Sequence, residues 1–116
     1  FKTIKNEDQL SSEITKTVNS DKLLIVKFYA DWCISCNKLE RVVFSNKAVN
    51  EALKETLTST LDVTDNNRFN QSMLARFSLV GPPALLFFKN GLEQRSYRII
   101  GEISAEELVE HLNNLR

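Results

Sequence analysis

The chain contains only two cysteines, Cys33 and Cys36, and two residues separate them in the stretch Trp32-Cys33-Ile34-Ser35-Cys36. They follow directly after the apolar run from Leu23 to Ala30, which has the composition of a strand. Two thiols at this spacing can close a small disulfide ring and open it again, with one sulfur exposed and the other beneath it. The pattern therefore predicts thiol–disulfide redox chemistry.

Other roles for the two cysteines fit the sequence less well. A disulfide between such close neighbours closes too short a loop to remove much entropy from the unfolded chain. Two inert, buried thiols remain an alternative, and so does a zinc site. Zinc would need two further ligands, and the only histidine, His111, lies far along the chain among the leucines of a helix. We expect neither a metal nor another cofactor.

Length, composition and charge limit the possible functions. The 116 residues are enough for a single domain with a sizeable core, and 42% hydrophobic with 26% charged residues is typical of a globular protein. Fifteen Lys and Arg residues balance fifteen Asp and Glu residues, so no overall field favours nucleic acid or an anionic membrane. No apolar stretch approaches the ~20 residues that span a bilayer, so we expect no membrane insertion by this segment. Other proteins are the expected partners.

The hydrophobic pattern predicts alternating strands and helices in an α/β fold. Its central sheet is mixed, because a parallel portion built through crossover helices is completed by a C-terminal antiparallel hairpin, and helices flank the sheet. The predicted order is an edge strand (1–5), a helix capped by Asn6, a central strand (23–30), a helix with the cysteines at its N-terminus, a turn capped by Ser45, a strand (57–63), a helix capped by Asp65 or Asn66, a strand (84–89), an Asn90-Gly91 hairpin to a strand (92–100), and a helix with a Ser104/Glu107 capping box.

Two motifs occur together in this pattern. The first is Tyr29-Ala30-Asp31-Trp32-Cys33-Ile34-Ser35-Cys36, and the second is Gly81-Pro82-Pro83 before a Phe-rich strand and a hairpin. In both, the sequence resembles the thioredoxin superfamily, over nearly the whole chain. Within that superfamily it is most similar to the C-terminal periplasmic domain of the DsbD family of thiol:disulfide interchange proteins, through Ala30-Asp31-Trp32-Cys33, Glu40, Phe44-Ser45 and Asp62-Val63-Thr64.

The resemblance implies a protein-disulfide reductase with a thioredoxin-like fold. It implies electron transfer from a membrane-embedded partner domain, through Cys33 and Cys36, to an N-terminal periplasmic domain. The chain starts at Phe1 without an initiator methionine, so we expect residues 1–116 to be one domain of a larger membrane protein, periplasmic and monomeric. Cys33 is then the attacking thiol and Cys36 the resolving one, in agreement with a helix N-terminus that favours a thiolate at Cys33.

The resemblance also assigns residues that contact the partner protein. Pro83 matches the cis-proline that faces the active-site sulfurs in this superfamily, although an ordinary turn proline is the alternative. Pro82 replaces a residue whose N–H normally pairs with the bound partner, so one hydrogen bond is lost. Trp32 and Ile34, beside the first cysteine, complete the expected partner-binding set, and a core position for Trp32 is the alternative.

One position departs from the pattern of the superfamily. Relatives usually carry a buried aspartate six residues before the first cysteine, where this chain has Lys27. A buried ammonium without a partner is costly, so Lys27 should either extend to the surface or find a carboxylate. Glu40, four residues after Cys36, is the candidate. Because a positive charge favours a thiolate, Lys27 and Glu40 are predicted to tune the pKa values of the cysteines.

Several functions remain open at this point. An electron-relaying disulfide reductase domain is one, and a free-standing periplasmic thioredoxin or a cytochrome c maturation reductant is another. A non-catalytic thioredoxin-like binding module would use the surface around Trp32 and Pro83 only for docking. An oxidase differs from a reductase in its reduction potential, which the sequence does not reveal.

Overall fold

The central strand Leu23–Tyr29 organises the molecule, because its residues from Leu23 to Phe28 are buried beneath helices on both faces of the sheet. The computed structural model describes residues 1–116. None of its helices combines the length and the apolar character that crossing a bilayer requires. The elements are β1 (Lys2–Thr3), α1 (Glu7–Thr15), β2 (Leu23–Tyr29), α2 (Ile34–Lys38) with a π-helical turn (Leu39–Val43), α3 (Lys47–Ala52), β3 (Leu57–Asp62), α4 (Arg68–Arg76), β4 (Ala84–Lys89), β5 (Leu92–Glu93), a 3₁₀ turn (Arg95–Tyr97), β6 (Ile99–Ile100) and α5 (Ala105–Leu115).

The sheet is mixed, as the element order predicts. Its strand order is β1-β3-β2-β4-β5, and β6 also pairs with β4. β1, β3 and β2 run parallel, whereas β4 is antiparallel to β2, β5 and β6. The predicted fold class, an α/β fold with a parallel portion and a C-terminal antiparallel hairpin, is confirmed.

Alternate residues of β2 face two separate cores, as expected for a strand covered on both faces. One core contains both cysteines and lies against α1 and α4; its members include Leu10, Leu24, Val26, Phe28, Leu61, Met73 and Phe77. The other lies against the π-helical turn, α3 and α5; its members include Leu23, Ile25, Leu39, Val43, Val49, Phe87, Leu108 and Leu112. Met73 and Phe77, both on or next to α4, are buried in the first of these cores.

The expected start of α1 and the hairpin turn are found where the sequence places them. Asn6 Oδ1 accepts the Gln9 N–H at the start of α1. The hairpin turn has φ +52° at Asn90 and +78° at Gly91, the left-handed conformations that a tight two-residue turn needs. The capping box of α5 is also formed, with Ser104 and Glu107 bonding each other's backbone N–H groups.

Two predicted helix caps are wrong by one or two positions. α3 is capped by Asn46, whose Oδ1 accepts the N–H groups of Ala48 and Val49, while the Ser45 hydroxyl donates to the carbonyl of Arg41. α4 is capped by Asn67 rather than by Asp65 or Asn66. Neighbouring residues that are all good caps compete, and tertiary packing decides which one starts the helix.

The predicted continuous strand over residues 92–100 is also wrong. The chain forms β5, a 3₁₀ turn and β6 instead. The cause is a two-pronged ion pair in which the Arg98 guanidinium binds both carboxylate oxygens of Glu93. An extended strand would hold these residues about 16 Å apart, so their pairing requires the segment to turn.

Candidate active site

Cys33 and Cys36 form a disulfide at the start of α2. Cys33 is the N-cap residue with extended backbone, and its Sγ accepts the backbone N–H of Cys36 at 3.2 Å. Cys33 is 7% exposed and Cys36 2% exposed, so more of the first residue is accessible to solvent. The helix N-terminus thus directs an N–H donor at the sulfur of Cys33, and that donor would stabilise a thiolate there.

The loop between β2 and α2 is held by hydrogen bonds on both sides of the cysteines. The Cys33 N–H donates to the carbonyl of Ala30 at 3.2 Å. On the helix side, the Asn37 side-chain amide donates to the carbonyl of Asp31 at 3.0 Å. The position of Cys33 is therefore set by the end of β2 and by the second turn of α2 together.

Trp32 is at the surface, as the sequence predicts, with 62% of the residue exposed. Its indole N–H donates to the carbonyl of Thr64 at 3.0 Å. The Thr64 hydroxyl accepts the Asp31 N–H at 2.9 Å and donates to Asp62 at the end of β3. Asp62-Val63-Thr64 is part of the resemblance to DsbD proteins, but no role is predicted for it from the sequence. An acceptor side chain two residues before a threonine at a strand end is a turn pattern that could have indicated one.

The peptide bond between Pro82 and Pro83 is cis, as the sequence analysis expects for Pro83. Ala84, the next residue, pairs with Phe28 of β2 in antiparallel register. Pro83 therefore lies at the end of the sheet from which the loop to the cysteines starts. The carbonyl of Pro83 accepts the N–H of Gly101 at 3.1 Å, which joins this segment to the turn before α5.

Exposed apolar side chains occur at this end of the sheet. Ile34, between the two cysteines, is 86% exposed. Val80 precedes Gly81 and the two prolines and is fully exposed, and Ile100, which pairs with Ala84, is also exposed. Trp32 and Ile34 are predicted for this surface from the sequence, but Val80 and Ile100 are not. A hydrophobic pattern does not show which apolar residues remain exposed to solvent after the elements pack.

Lys27 is buried, and its ammonium contacts the Glu40 carboxylate. The ammonium also lies 3.9 Å from the ring centroid of Phe1 and 4.6 Å from that of Phe44, over the ring faces. The two rings meet edge to face, with centroids 5.2 Å apart. Of the two outcomes expected for Lys27, the structure shows the carboxylate contact, and it adds two aromatic neighbours that the sequence analysis misses.

Comparison with known proteins agrees with this geometry. The thioredoxin family model matches residues 3–114. The chain belongs to the thioredoxin family. The predicted family and fold are therefore confirmed, and the Cys33–Cys36 pair lies at the start of α2.

Among curated proteins, the chain is similar to thiol:disulfide interchange proteins named DsbD. It is 36% identical over 117 residues to that of a Pseudomonas species, covering 100% of this chain and 20% of the relative. It is 38% identical over 105 residues to DsbD 1 of Pseudomonas aeruginosa, covering 90% of this chain and 18% of the relative. The chain thus spans about a fifth of the length of the curated relatives that it matches.

Solved structures show the same fold over the whole chain. The oxidised C-terminal domain of Neisseria meningitidis DsbD superposes with a TM-score of 0.82 at 24% identity, covering 98% of this chain and 99% of that one. Its reduced form gives a TM-score of 0.79 at 25% identity, covering 96% and 97%. Fasciola hepatica thioredoxin gives 0.77 at 22% identity and covers all of both chains.

Proposed function

We propose that the protein is a disulfide reductase domain that relays electrons from a membrane-embedded partner domain to an N-terminal periplasmic domain. The observation that carries the proposal is a Cys33–Cys36 disulfide at a helix N-terminus in a chain that resembles DsbD proteins over its full length. Its physiological partners are then protein thiols and disulfides. Residues 1–116 are proposed to be one periplasmic, monomeric domain of a larger membrane protein, and cytochrome c biogenesis is a process that such a relay would serve.

The chemistry is a thiol–disulfide exchange in two steps, which together pass two electrons to the partner. The Cys33 thiolate attacks one sulfur of the partner's disulfide, whose other sulfur leaves as a thiolate and takes up a proton. Cys36 then loses its proton and attacks the Cys33 sulfur of the mixed disulfide, which releases the partner's second thiolate. Two electrons have passed to the partner, and the Cys33–Cys36 disulfide remains until an upstream dithiol reduces it by the same steps.

The assignment of Cys33 as the attacking residue rests on position and accessibility. Cys33 caps the helix and receives the Cys36 N–H, an arrangement that lowers the free energy of a thiolate. Cys36 is less exposed and lies within the helix, where a partner has poorer access. A resolving thiol needs only to reach its neighbour.

The proposed partner-binding residues surround this position. Trp32 and Ile34 supply exposed apolar surface beside Cys33, and Pro82 and Pro83 lie on the loop before β4 at the same end of the sheet. Pro82 has no backbone N–H to donate to an extended partner segment. Side-chain contacts with Trp32 and Ile34 therefore make a larger contribution to partner affinity in this proposal.

Lys27 and Glu40 are proposed to tune the acidity of the cysteines. They form an ion pair between β2 and the π-helical turn that continues the active-site helix. While both are charged, their fields on the sulfurs largely cancel. The departure from the aspartate of relatives therefore replaces one buried negative charge with a nearly neutral pair.

The relay is tested by comparing two oxidised substrates. The reduced protein is mixed with insulin and, separately, with the oxidised N-terminal periplasmic domain of a DsbD relative, and the loss of substrate disulfide is followed over time. We expect faster reduction of the DsbD domain. Cys36→Ser should trap a mixed disulfide with that domain through Cys33, and Cys33→Ser should trap none.

Each other outcome rejects part of the proposal. Exchange with insulin but not with the DsbD domain would indicate a general reductant. No exchange with either substrate would indicate a binding module without redox activity. A mixed disulfide that forms through Cys36 would reverse the two thiol roles.

A further inference from the structure

Glu102 contacts the segment between the two cysteines, although it lies more than sixty residues away in the chain. One carboxylate oxygen, Oε2, accepts the Ser35 hydroxyl at 2.8 Å. The other, Oε1, lies 3.0 Å from the ammonium of Lys38, one turn further along α2. A single carboxylate therefore joins the dipeptide between the cysteines to the next turn of the active-site helix.

The backbone around Glu102 also connects to the proline loop. Gly101, directly before it, has φ +92°, a conformation that side-chain-bearing residues rarely adopt, and its N–H donates to the Pro83 carbonyl. The Gly101-Glu102 corner thus contacts Pro83 on one side and α2 on the other. These bonds fix the direction in which the carboxylate points.

Glu102 is negatively charged at neutral pH. The hydrogen bonds from Lys38 and Ser35 and the charge of Lys38 hold the pKa of Glu102 below its ordinary value of 4.5. A carboxylate at the first turn of a helix is favourable for the helix, but it opposes a second negative charge nearby. The second charge here would be the thiolate of Cys33, which caps the same helix.

The other charged groups around Cys33 determine what Glu102 adds. Lys27 of β2 and Glu40 of the π-helical turn neutralise each other. Asp31 in the loop before Cys33 has no cationic partner, and Asp62 of β3 is bonded to Thr64 instead of a cation. On the active-site helix, Lys38 is therefore the cation whose positive charge Glu102 neutralises.

We propose that Glu102 is a positioning residue for disulfide exchange, which orients Ser35 and cancels the field of Lys38, so that the Cys33 thiolate is less stable than it would be beside an uncompensated Lys38. The proposal rests on the role of Cys33 as the attacking thiol. Reduction of the Cys33–Cys36 disulfide takes up two electrons. It also takes up two protons if Cys33 becomes a thiol, but only one proton if Cys33 stays a thiolate. A less stable thiolate disfavours the reduced form, so Glu102 makes the protein a stronger reductant.

The test compares Glu102→Gln with the wild type. Glutamine keeps an acceptor for Ser35 and removes the charge. The reduced proteins are alkylated with iodoacetamide across a range of pH, and mass spectrometry identifies the modified cysteine. Below the midpoint of the profile we expect Cys33 of Glu102→Gln to react about two- to fivefold faster than the wild type, the range for a surface charge at a helix N-terminus. Above the midpoint, where Cys33 of the reduced protein is a thiolate, the equilibrium with glutathione should shift toward the reduced protein by the same factor.

Two further variants separate the local effect from a general change of charge. Adding Lys38→Met to Glu102→Gln should return the profile toward the wild type, because the freed ammonium is then absent. Glu106→Gln, which removes an exposed carboxylate from the first turn of α5, is the matched control and should leave the profile unchanged.

The outcomes distinguish this proposal from the one on which it rests. A Glu102→Gln profile that superimposes on the wild type, or an equal shift in Glu106→Gln, would overturn the role of Glu102. Preferential alkylation of Cys36 in the wild type would instead reject Cys33 as the attacking thiol.

Discussion

Lys27 and Glu40 form an ion pair whose two members differ in their access to water. The Lys27 side chain is 7% exposed, whereas 38% of the Glu40 side chain is exposed. Phe1 and Phe44 cover the ammonium from two sides, but an aromatic face compensates a charge less well than a carboxylate does. Lys27 therefore depends on Glu40, while Glu40 can be hydrated without Lys27.

This asymmetry predicts unequal effects on stability. Glu40→Gln leaves a buried ammonium without its counter-ion and should lower the free energy of unfolding by about 2 kcal/mol or more. Lys27→Met keeps the contacts with both rings and should cost about 1 kcal/mol or less. Urea unfolding of the oxidised proteins measures both values, and the double variant should resemble Lys27→Met. Equal losses in the two single variants would show that Lys27 does not rely on the carboxylate.

The same two variants should change the acidity of Cys33 in opposite directions. Lys27→Met leaves the negative charge of Glu40 and should raise the pKa of the Cys33 thiol, and Lys27→Asp should raise it further. Glu40→Gln leaves the positive charge of Lys27 and should lower it. The pH dependence of alkylation gives these values, with the exposed Glu7→Gln on α1 as control. Shifts of the same sign, or no shift with Lys27→Asp, would contradict tuning by the pair.

Residue types and spacing were enough to predict the sheet and the cysteine pair, and to name Glu40 as the candidate partner of Lys27. The partner follows from local rules, because a buried ammonium needs a carboxylate and Glu40 continues the helix that begins at the cysteines. The aromatic neighbours do not follow from such rules. Phe1 reaches Lys27 through the pairing of β1 with β3, and Phe44 through the π-helical turn, and neither leaves a periodic pattern.

Pairing between polar side chains explains two other differences. The strand pattern of residues 92–100 gave no indication that Glu93 would bind Arg98, and that pair interrupts the strand. Glu102 was overlooked for the same reason, because its contacts with Ser35 and Lys38 cross between distant segments. Hydrophobic periodicity predicts which elements form, but not which polar side chains meet once they pack.

Thr64 should control the mobility of the loop that carries Trp32. Thr64→Val keeps the shape of the side chain but removes the acceptor of the Asp31 N–H, at a cost of about 1 kcal/mol. Because Trp32 is the only tryptophan in the chain, its fluorescence anisotropy reports this loop directly. We expect lower anisotropy and slower reduction of insulin in Thr64→Val, and neither change in the control Thr58→Val. Unchanged anisotropy in Thr64→Val would show that the other bonds of the loop, such as those from the indole to the Thr64 carbonyl and from Asn37 to the Asp31 carbonyl, hold it without the Thr64 hydroxyl.

Glu13 should make stability depend on pH. Its side chain is 5% exposed and is paired with Lys16 at 2.5 Å and Lys2 at 3.5 Å. Burial alone would raise the pKa of Glu13, but the hydrogen bond and charge of Lys16, together with Lys2, hold it below the ordinary value of 4.5. A lowered folded-state pKa stabilises the protein above the unfolded pKa, and this stability is lost as pH falls through the folded value.

The free energy of unfolding should therefore decrease between about pH 5 and pH 3, and Glu13→Gln should make that decrease shallower while lowering stability at pH 7. Urea unfolding at several pH values measures both effects, with the exposed Glu110→Gln on α5 as the control. If the curves of Glu13→Gln and the wild type ran parallel over this range, the ion pairs of Glu13 would not be a source of the acid sensitivity.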